Sequence, residues 1–126
     1  MLALRDFLAQ KGIDPETAGT VELVLAEVCN NVTEHAYPGA VGPVALTVLL
    51  DPEAAHCTVR DSGAALPEGT PPETMPEPPW NLPEGGFGWY IIRSLSTRLE
   101  YRSARGRNRL RLAIPIDRVG GRAGRA

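Results

Sequence analysis

The sequence predicts an α+β two-layer sandwich: a mixed, mostly antiparallel sheet with its helices gathered on one face. Three observations predict it. A long amphipathic helical pattern runs from Pro15 to Tyr37, two pairs of strand-like runs are each joined by a tight turn, and a further helix precedes the second pair. Hairpin-linked strands leave one sheet face for helices to cover. The 126 residues leave room for one domain. Their 43% hydrophobic and 22% charged content is ordinary for a globular chain.

Leu4, Phe7 and Leu8 sit at helical spacing, and Gly12 closes that first short segment. Asp14-Pro15-Glu16 reads as a helix start, with Asp at the N-cap, Pro at the first helical position and an acid in the first turn. Val21, Val24, Leu25, Val28, Val32 and Ala36 then recur every three or four residues as one apolar stripe, until Pro38-Gly39 stops the helix. Pro43 to Leu50 is apolar on both alternating sides and predicts a well-buried strand. His56 to Asp61 alternates Cys57 and Val59 against polar neighbours, with Asp51-Pro52-Glu53 as the turn between the two.

Seven prolines between residues 67 and 83 exclude a helix or a central strand there, and predict a long surface loop. Gly85-Gly86-Phe87-Gly88 follows, then a buried helix over Trp89 to Leu95 with one exposed aromatic. Closing strands at Leu99–Ser103 and Arg107–Ile114 turn at Ala104-Arg105-Gly106, with Leu110, Leu112 and Ile114 on one face. Residues 117–126 read as a frayed tail.

Charge is unevenly spread. Residues 1–92 carry 3 basic and 13 acidic side chains, a net of −10, whereas residues 93–126 carry 10 arginines and 2 acids, a net of +8. Such an arginine field suits nucleic acid, phosphates or an acidic partner protein, and composition does not choose among them. No nucleic-acid recognition motif accompanies it. No apolar run approaches the roughly 20 residues of a membrane span. The N-terminus lacks the layout of a secretory signal. Cys29 and Cys57 sit in apolar patterns without metal-type spacing, as packing thiols of a reduced, cytoplasmic protein. Neither nucleic acid nor a membrane is therefore expected as a partner.

Three pieces of the chain can carry chemistry. Glu27, Asn31 and His35 rise along one line of the long helix at i, i+4, i+8, with Glu27 and Asn31 on the shoulder of the apolar stripe. An Asn oxygen is a neutral ligand for Mg²⁺, and a nearby Glu can take a proton from a hydroxyl. The same residues also suit a solvated polar face. Asp61-Ser62-Gly63 ends a strand, where Asp can accept a hydrogen bond from an exocyclic amine and Gly lets a planar ring approach; a plain turn reads the same way. Gly86 and Gly88 precede a helix whose free N–H groups can cradle a phosphate. The Lys-Ser/Thr of a P-loop is absent, and no strand directly precedes the glycines as in the dinucleotide fold.

In this order the three pieces resemble the boxes of the Bergerat-type ATP-binding fold of gyrases, histidine kinases and MutL. Glu27-Val28-Cys29-Asn30-Asn31 looks like its Glu-x-x-x-Asn box, Asp61-Ser62-Gly63 like its Asp-x-Gly, and Gly86-Phe87-Gly88 like its Gly-x-Gly. Within that superfamily, Asn31–Tyr37 and Glu84–Leu95 are similar to the signatures of the anti-sigma-factor serine/threonine kinases of partner-switching systems. The resemblance implies a kinase domain over 1–116 with an ATP lid at about 64–84. It implies Glu27 as the base that activates a substrate hydroxyl and Asn31 as the Mg²⁺ ligand. Asp61 and Gly63 would take adenine, and Gly86 and Gly88 the phosphates, with His35 orienting a neighbouring group unless it only caps or packs. The cofactors implied are ATP and Mg²⁺. The partners implied are an anti-anti-sigma (STAS-type) protein, a sigma factor and a second copy in a homodimer.

Three departures stand beside the resemblance. The strand that commonly opens the family is absent ahead of the first helix, through a shorter member or a late-assigned start. Ala65 and Asn108 stand where many superfamily members have Gly and Thr. A nucleotide-gated antagonist that binds its partner without transferring phosphate is the competing reading, and retention of Glu27 argues against it.

Overall fold

The structure, a computed structural model, describes residues 2–40, 42–66 and 87–118. Helix α1 (Leu2–Gln10) turns at Gly12 into the long helix α2 (Pro15–Ala36). Every member of the α2 stripe is buried, with Val21, Val24, Leu25 and Val28 fully enclosed. Each such side chain contributes about 1.5–3 kcal/mol through burial, which outweighs the propensity cost of Gly19 inside the helix. Arg5 grips both carboxylate oxygens of Glu22, at 2.7 and 3.3 Å, and so clips α1 to α2 at the surface. Asp14 occupies the expected N-cap position, but its side chain makes no capping bond. Its backbone is used instead: its N–H donates to Asp117 O at 2.9 Å and its carbonyl accepts from Ala18 N at 2.8 Å.

Strands β1 (Val44–Leu50) and β2 (Ala54–Asp61) form the first hairpin. Helix α3 (Phe87–Leu95) leads to the second, β3 (Arg98–Ala104) and β4 (Arg107–Pro115). The strands lie in the order β1-β2-β4-β3 and are antiparallel at every described pairing, so the parallel component of the expected mixed sheet is absent among the described strands. Arg105 and Gly106 take φ of 54° and 74°, the left-handed pair that a two-residue hairpin turn matched to strand twist requires.

Register aligns the inward faces. Val59 stands between Leu46 and Leu110, and Cys57 between Val48 and Leu112. Ala55, Cys57, Val59, Leu110, Leu112 and Ile114 close the core against α2, with Trp89 and Ile92 of α3 completing it. Burial pushes the Cys57 thiol up to about 12 and raises that of half-buried Cys29. Tyr90 is the exposed aromatic of α3.

Two further expectations are corrected. β1 is not a well-buried strand but a sheet edge, with Leu46 39% and Leu49 66% exposed. An apolar run cannot distinguish an edge from a centre, because that depends on whether a second strand pairs with it. The chain is also held beyond residue 116: Arg118 bridges to Ile13 and donates to the carbonyls of Asp51 and Pro52, while Asp117 accepts from Asp14. Most of the expected lid, from residue 67 through 84, and residues 119–126 of the expected tail lie outside the described residues. No described helix is long and apolar enough to cross a membrane.

Candidate functional site

The end of β2 is fastened to the C-terminal end of α2. A Cβ on Gly63 would fall on the Ala36 carbonyl, and the N–H of Ala64 donates to that same oxygen at 3.0 Å. Only glycine permits this approach, so helix packing alone accounts for Gly63, whatever room it also makes for a ring. Tyr37, just past the helix, accepts from Ser62 N at 3.0 Å and donates to Pro43 O at 2.9 Å, joining the end of β2 to the start of β1. Tyr101 of β3 accepts from Leu66 N at 2.9 Å. Thus two phenols and one helix carbonyl set the path of the chain after β2.

Asp61 is buried at this junction, with only 8% exposed. Its Oδ1 accepts from Gly63 N at 2.9 Å and from Asn108 Nδ2 at 2.7 Å. The Asn108 amide also donates to the carbonyls of Gly63 and Ala64, at 3.0 and 3.1 Å. Among the described residues only Oδ1 of Asp61 is engaged, so Oδ2 remains for an outside donor. By the family pattern Asn108 is only a departure. The signal that finds it is parity: it shares the inward face of β4 with Leu110, Leu112 and Ile114, where a polar side chain needs a partner.

The second half of the site lies on α2. Asn31 is 5% exposed, and its Nδ2 has no hydrogen-bond partner among the described residues. Leaving such a group unpaired costs about 1–3 kcal/mol, so a buried orphan amide calls for a function or a ligand. Gly88 backs it: a Cβ there would lie 2.6 Å from Asn31 Nδ2 and 2.9 Å from Oδ1. The glycine therefore admits α3 to contact with the amide. Glu27, one turn earlier on the same face, is half-buried and carries no hydrogen bond or ion pair to another described residue. His35 is exposed in the last turn, so the line of three polar residues runs from the shoulder through the core edge to solvent.

The fold thus brings Asn31 to Gly88 where α2 meets α3, with Glu27 one turn back along α2. It brings Gly63 to Ala36, five residues or about 7.5 Å of helix axis beyond Asn31, with Asp61 two residues before Gly63. Gly86 lies outside the described residues. Among those described, no three His, Cys, Asp or Glu side chains form a metal-holding group.

Comparison with known proteins bears on what this arrangement is. The histidine kinase-like ATPase domain matches residues 1–114. The serine-protein kinase RsbW of a Bacillus cereus strain is 30% identical over 80 residues, covering 60% of this chain and 50% of that protein. The protein of the same name from Bacillus thuringiensis subsp. konkukian matches to the same extent. The chain therefore spans about half the length of the curated relatives it matches. The mycobacterial sensor histidine kinase MprB superposes with a TM-score of 0.51 at 18% identity, over 83% of this chain and 74% of that one. The Acinetobacter baumannii histidine kinase AdeS superposes with a TM-score of 0.50 at 13% identity, over 79% and 47%. These two likenesses speak for the fold alone. With the family match running from the first helix to the last strand, across every described element of the site, the chain belongs to the histidine kinase-like ATPase domain family.

Proposed function

We propose that the chain is an ATP- and Mg²⁺-dependent serine/threonine protein kinase and anti-sigma regulator. In this reading it phosphorylates an anti-anti-sigma (STAS-type) partner and sequesters a sigma factor. The observation that carries the reading is the Asn31 amide, which is buried, unpaired at Nδ2, backed by Gly88 and one turn from a half-buried carboxylate. The donor set fits the implied group. One neutral amide oxygen suits Mg²⁺ when phosphate oxygens and waters complete the shell. Bound Mg-ATP supplies the phosphoryl group and neutralises the charge on it.

The chain's own residues do the rest. Asn31 would hold the metal through its Oδ1, and the orphaned Nδ2 would then be left to donate towards a phosphate oxygen. Glu27, uncommitted to any described cation, would take the proton of the substrate hydroxyl as that oxygen attacks the terminal phosphorus. Asp61 offers Oδ2 to the adenine amino group, its other oxygen being held by Asn108 and Gly63. Gly86 and Gly88 would bring backbone N–H groups of the α3 start to the phosphates. The family match and the two RsbW relatives named above support this reading; the substrate and partners belong to the proposal.

Purified protein, its cognate partner and Mg-ATP test it. Wild type should phosphorylate the partner, while Glu27→Ala should bind ATP with unchanged affinity and lose about 10²–10⁴-fold in rate, the usual worth of a positioned base. ATP-dependent partner binding with no phosphoryl transfer, equal in wild type and Glu27→Ala, would instead make the chain a nucleotide-gated antagonist.

A further inference from the structure

We propose that the outer face of the sheet carries a second binding site, a hollow lined by arginines that receives a carboxylate-rich segment of a partner protein. The hollow measures about 580 Å³ and opens at one end of the sheet, where Asp61, Ser62 and Asn108 line it together with four arginines. Strand register builds it. Arg60 of β2 faces Arg109 of β4, which faces Arg102 of β3, so three guanidinium groups stand in one cross-strand row. Arg107, two residues before Arg109 on the same face, adds a fourth. Ala45 of β1 ends the row and Pro43 closes its margin, both too small to block access.

Like charges placed directly opposite one another weaken a sheet. The next row of the same face shows the ordinary remedy, since Glu100 takes both Arg111 and Arg98 as partners. The carboxylate that lines the hollow, Asp61, is bonded instead to Asn108 and Gly63. None of the four arginines has a hydrogen bond or ion pair to another described residue. Four unneutralised guanidinium groups around a concavity are an anion site, and their planar forks match carboxylates two bonds at a time.

The extent of the patch selects the occupant. Positive charge covers one end of the face only: Glu100 lies in the next row, and Asp51 and Glu53 at the β1–β2 turn mark the far end. A duplex about 20 Å across would run over those acids on a sheet only four strands, roughly 15–20 Å, wide. A short extended segment would not. Residues 1–92 are also strongly acidic, with a net of −10 even with Arg60 counted, which opposes a long polyanion more than a local cluster of carboxylates. The arginine row stands on the outer face by strand parity, while the hollow also touches Asp61 and Asn108 of the proposed nucleotide site. The two sites therefore adjoin at this end of the sheet, and the arginine variants leave Asp61 and Asn108 in place.

The test uses the full chain and a fluorescent peptide of about eight residues with four glutamates, roughly 26 Å when extended. Its all-glutamine counterpart and a short DNA duplex serve as comparison probes. Binding is read by anisotropy at about 0.15 M salt, where exposed charges beyond ~8 Å are screened. The glutamate peptide should bind a monomeric protein, the glutamine peptide should not, and Arg60→Gln with Arg109→Gln should weaken binding about tenfold or more. Arg111→Gln, already paired with Glu100, should leave it unchanged. Should the central pair fail to fold, Arg102→Gln with Arg107→Gln gives the same readout from the edge. Binding absent in wild type, or equal in the variants, overturns the site. Tighter binding of the duplex with the same arginine dependence overturns the peptide in favour of nucleic acid. A dimer that the arginine variants dissociate overturns it in favour of a second copy.

Discussion

Asn108 Nδ2 donates to Asp61 Oδ1 at 2.7 Å, joining the inward faces of the two central strands at the end that borders α2. Because the same amide also holds the carbonyls of Gly63 and Ala64, the carboxylate and the chain that follows it move as one unit. Truncation as Asn108→Ala leaves a buried carboxylate oxygen and two carbonyls short of a donor. It should lower stability by about 1–3 kcal/mol in denaturant melts. ATP affinity should fall while its enhancement by Mg²⁺ persists, since Asn31 lies elsewhere. An unaltered ATP affinity in a folded Asn108→Ala protein would remove Asn108 from the positioning of Asp61.

The two described site glycines should respond differently to alanine. At Gly63 the new methyl meets the Ala36 carbonyl, which is backbone at the end of a packed helix and cannot swing aside. At Gly88 it meets the amide of Asn31, the far end of a side chain. Gly63→Ala should therefore reach or exceed the upper end of the roughly 1–3 kcal/mol typical of overpacking. Gly88→Ala should cost less stability and show its main effect as a lost Mg²⁺ enhancement of ATP binding. Thermal and chemical melts of both variants give the ranking, and equal losses would contradict it.

Acid should act on the first hairpin. Asp51 accepts from the N–H groups of Glu53 and Ala54 through Oδ1 and meets His56 Nε2 at 2.6 Å through Oδ2. The Glu53 N–H first, then His56, then the Ala54 N–H hold its carboxyl at about 2, below the ordinary 3.8. A carboxyl depressed in the folded state stabilises fully above its unfolded value, and that contribution is lost as pH falls through the folded one. Asp51→Asn should thus melt below wild type at pH 7, and the gap should close between pH 3.8 and 2. A gap that stays constant across that interval would show that the ionised carboxylate does not stabilise the turn.

Much of this architecture was legible in local pattern. The α2 stripe, the inward leucines of β4 and both hairpins follow from periodicity and turn chemistry, and their boundaries agree with the structure to within about two residues, the ordinary uncertainty of element ends. What escaped depended on partners distant in sequence. β1 is an edge because no described strand pairs with its far side. Asp14 gives its backbone, not its side chain, because Asp117 returns to it. The contact of Gly88 with Asn31 and that of Gly63 with Ala36 join separate elements, so neither glycine's structural reason can be read from its neighbours. Asn108 was legible by strand parity, but the family pattern drew attention to what it replaces rather than to the face it occupies.

The central claim rests on the Asn31 amide, and calorimetry of ATP binding with and without Mg²⁺ tests it most directly. Wild type should bind ATP more tightly when Mg²⁺ is present, and Asn31→Ala should lose that gain while keeping metal-free binding. An equal Mg²⁺ gain in Asn31→Ala, or no ATP binding in any condition, would contradict the account.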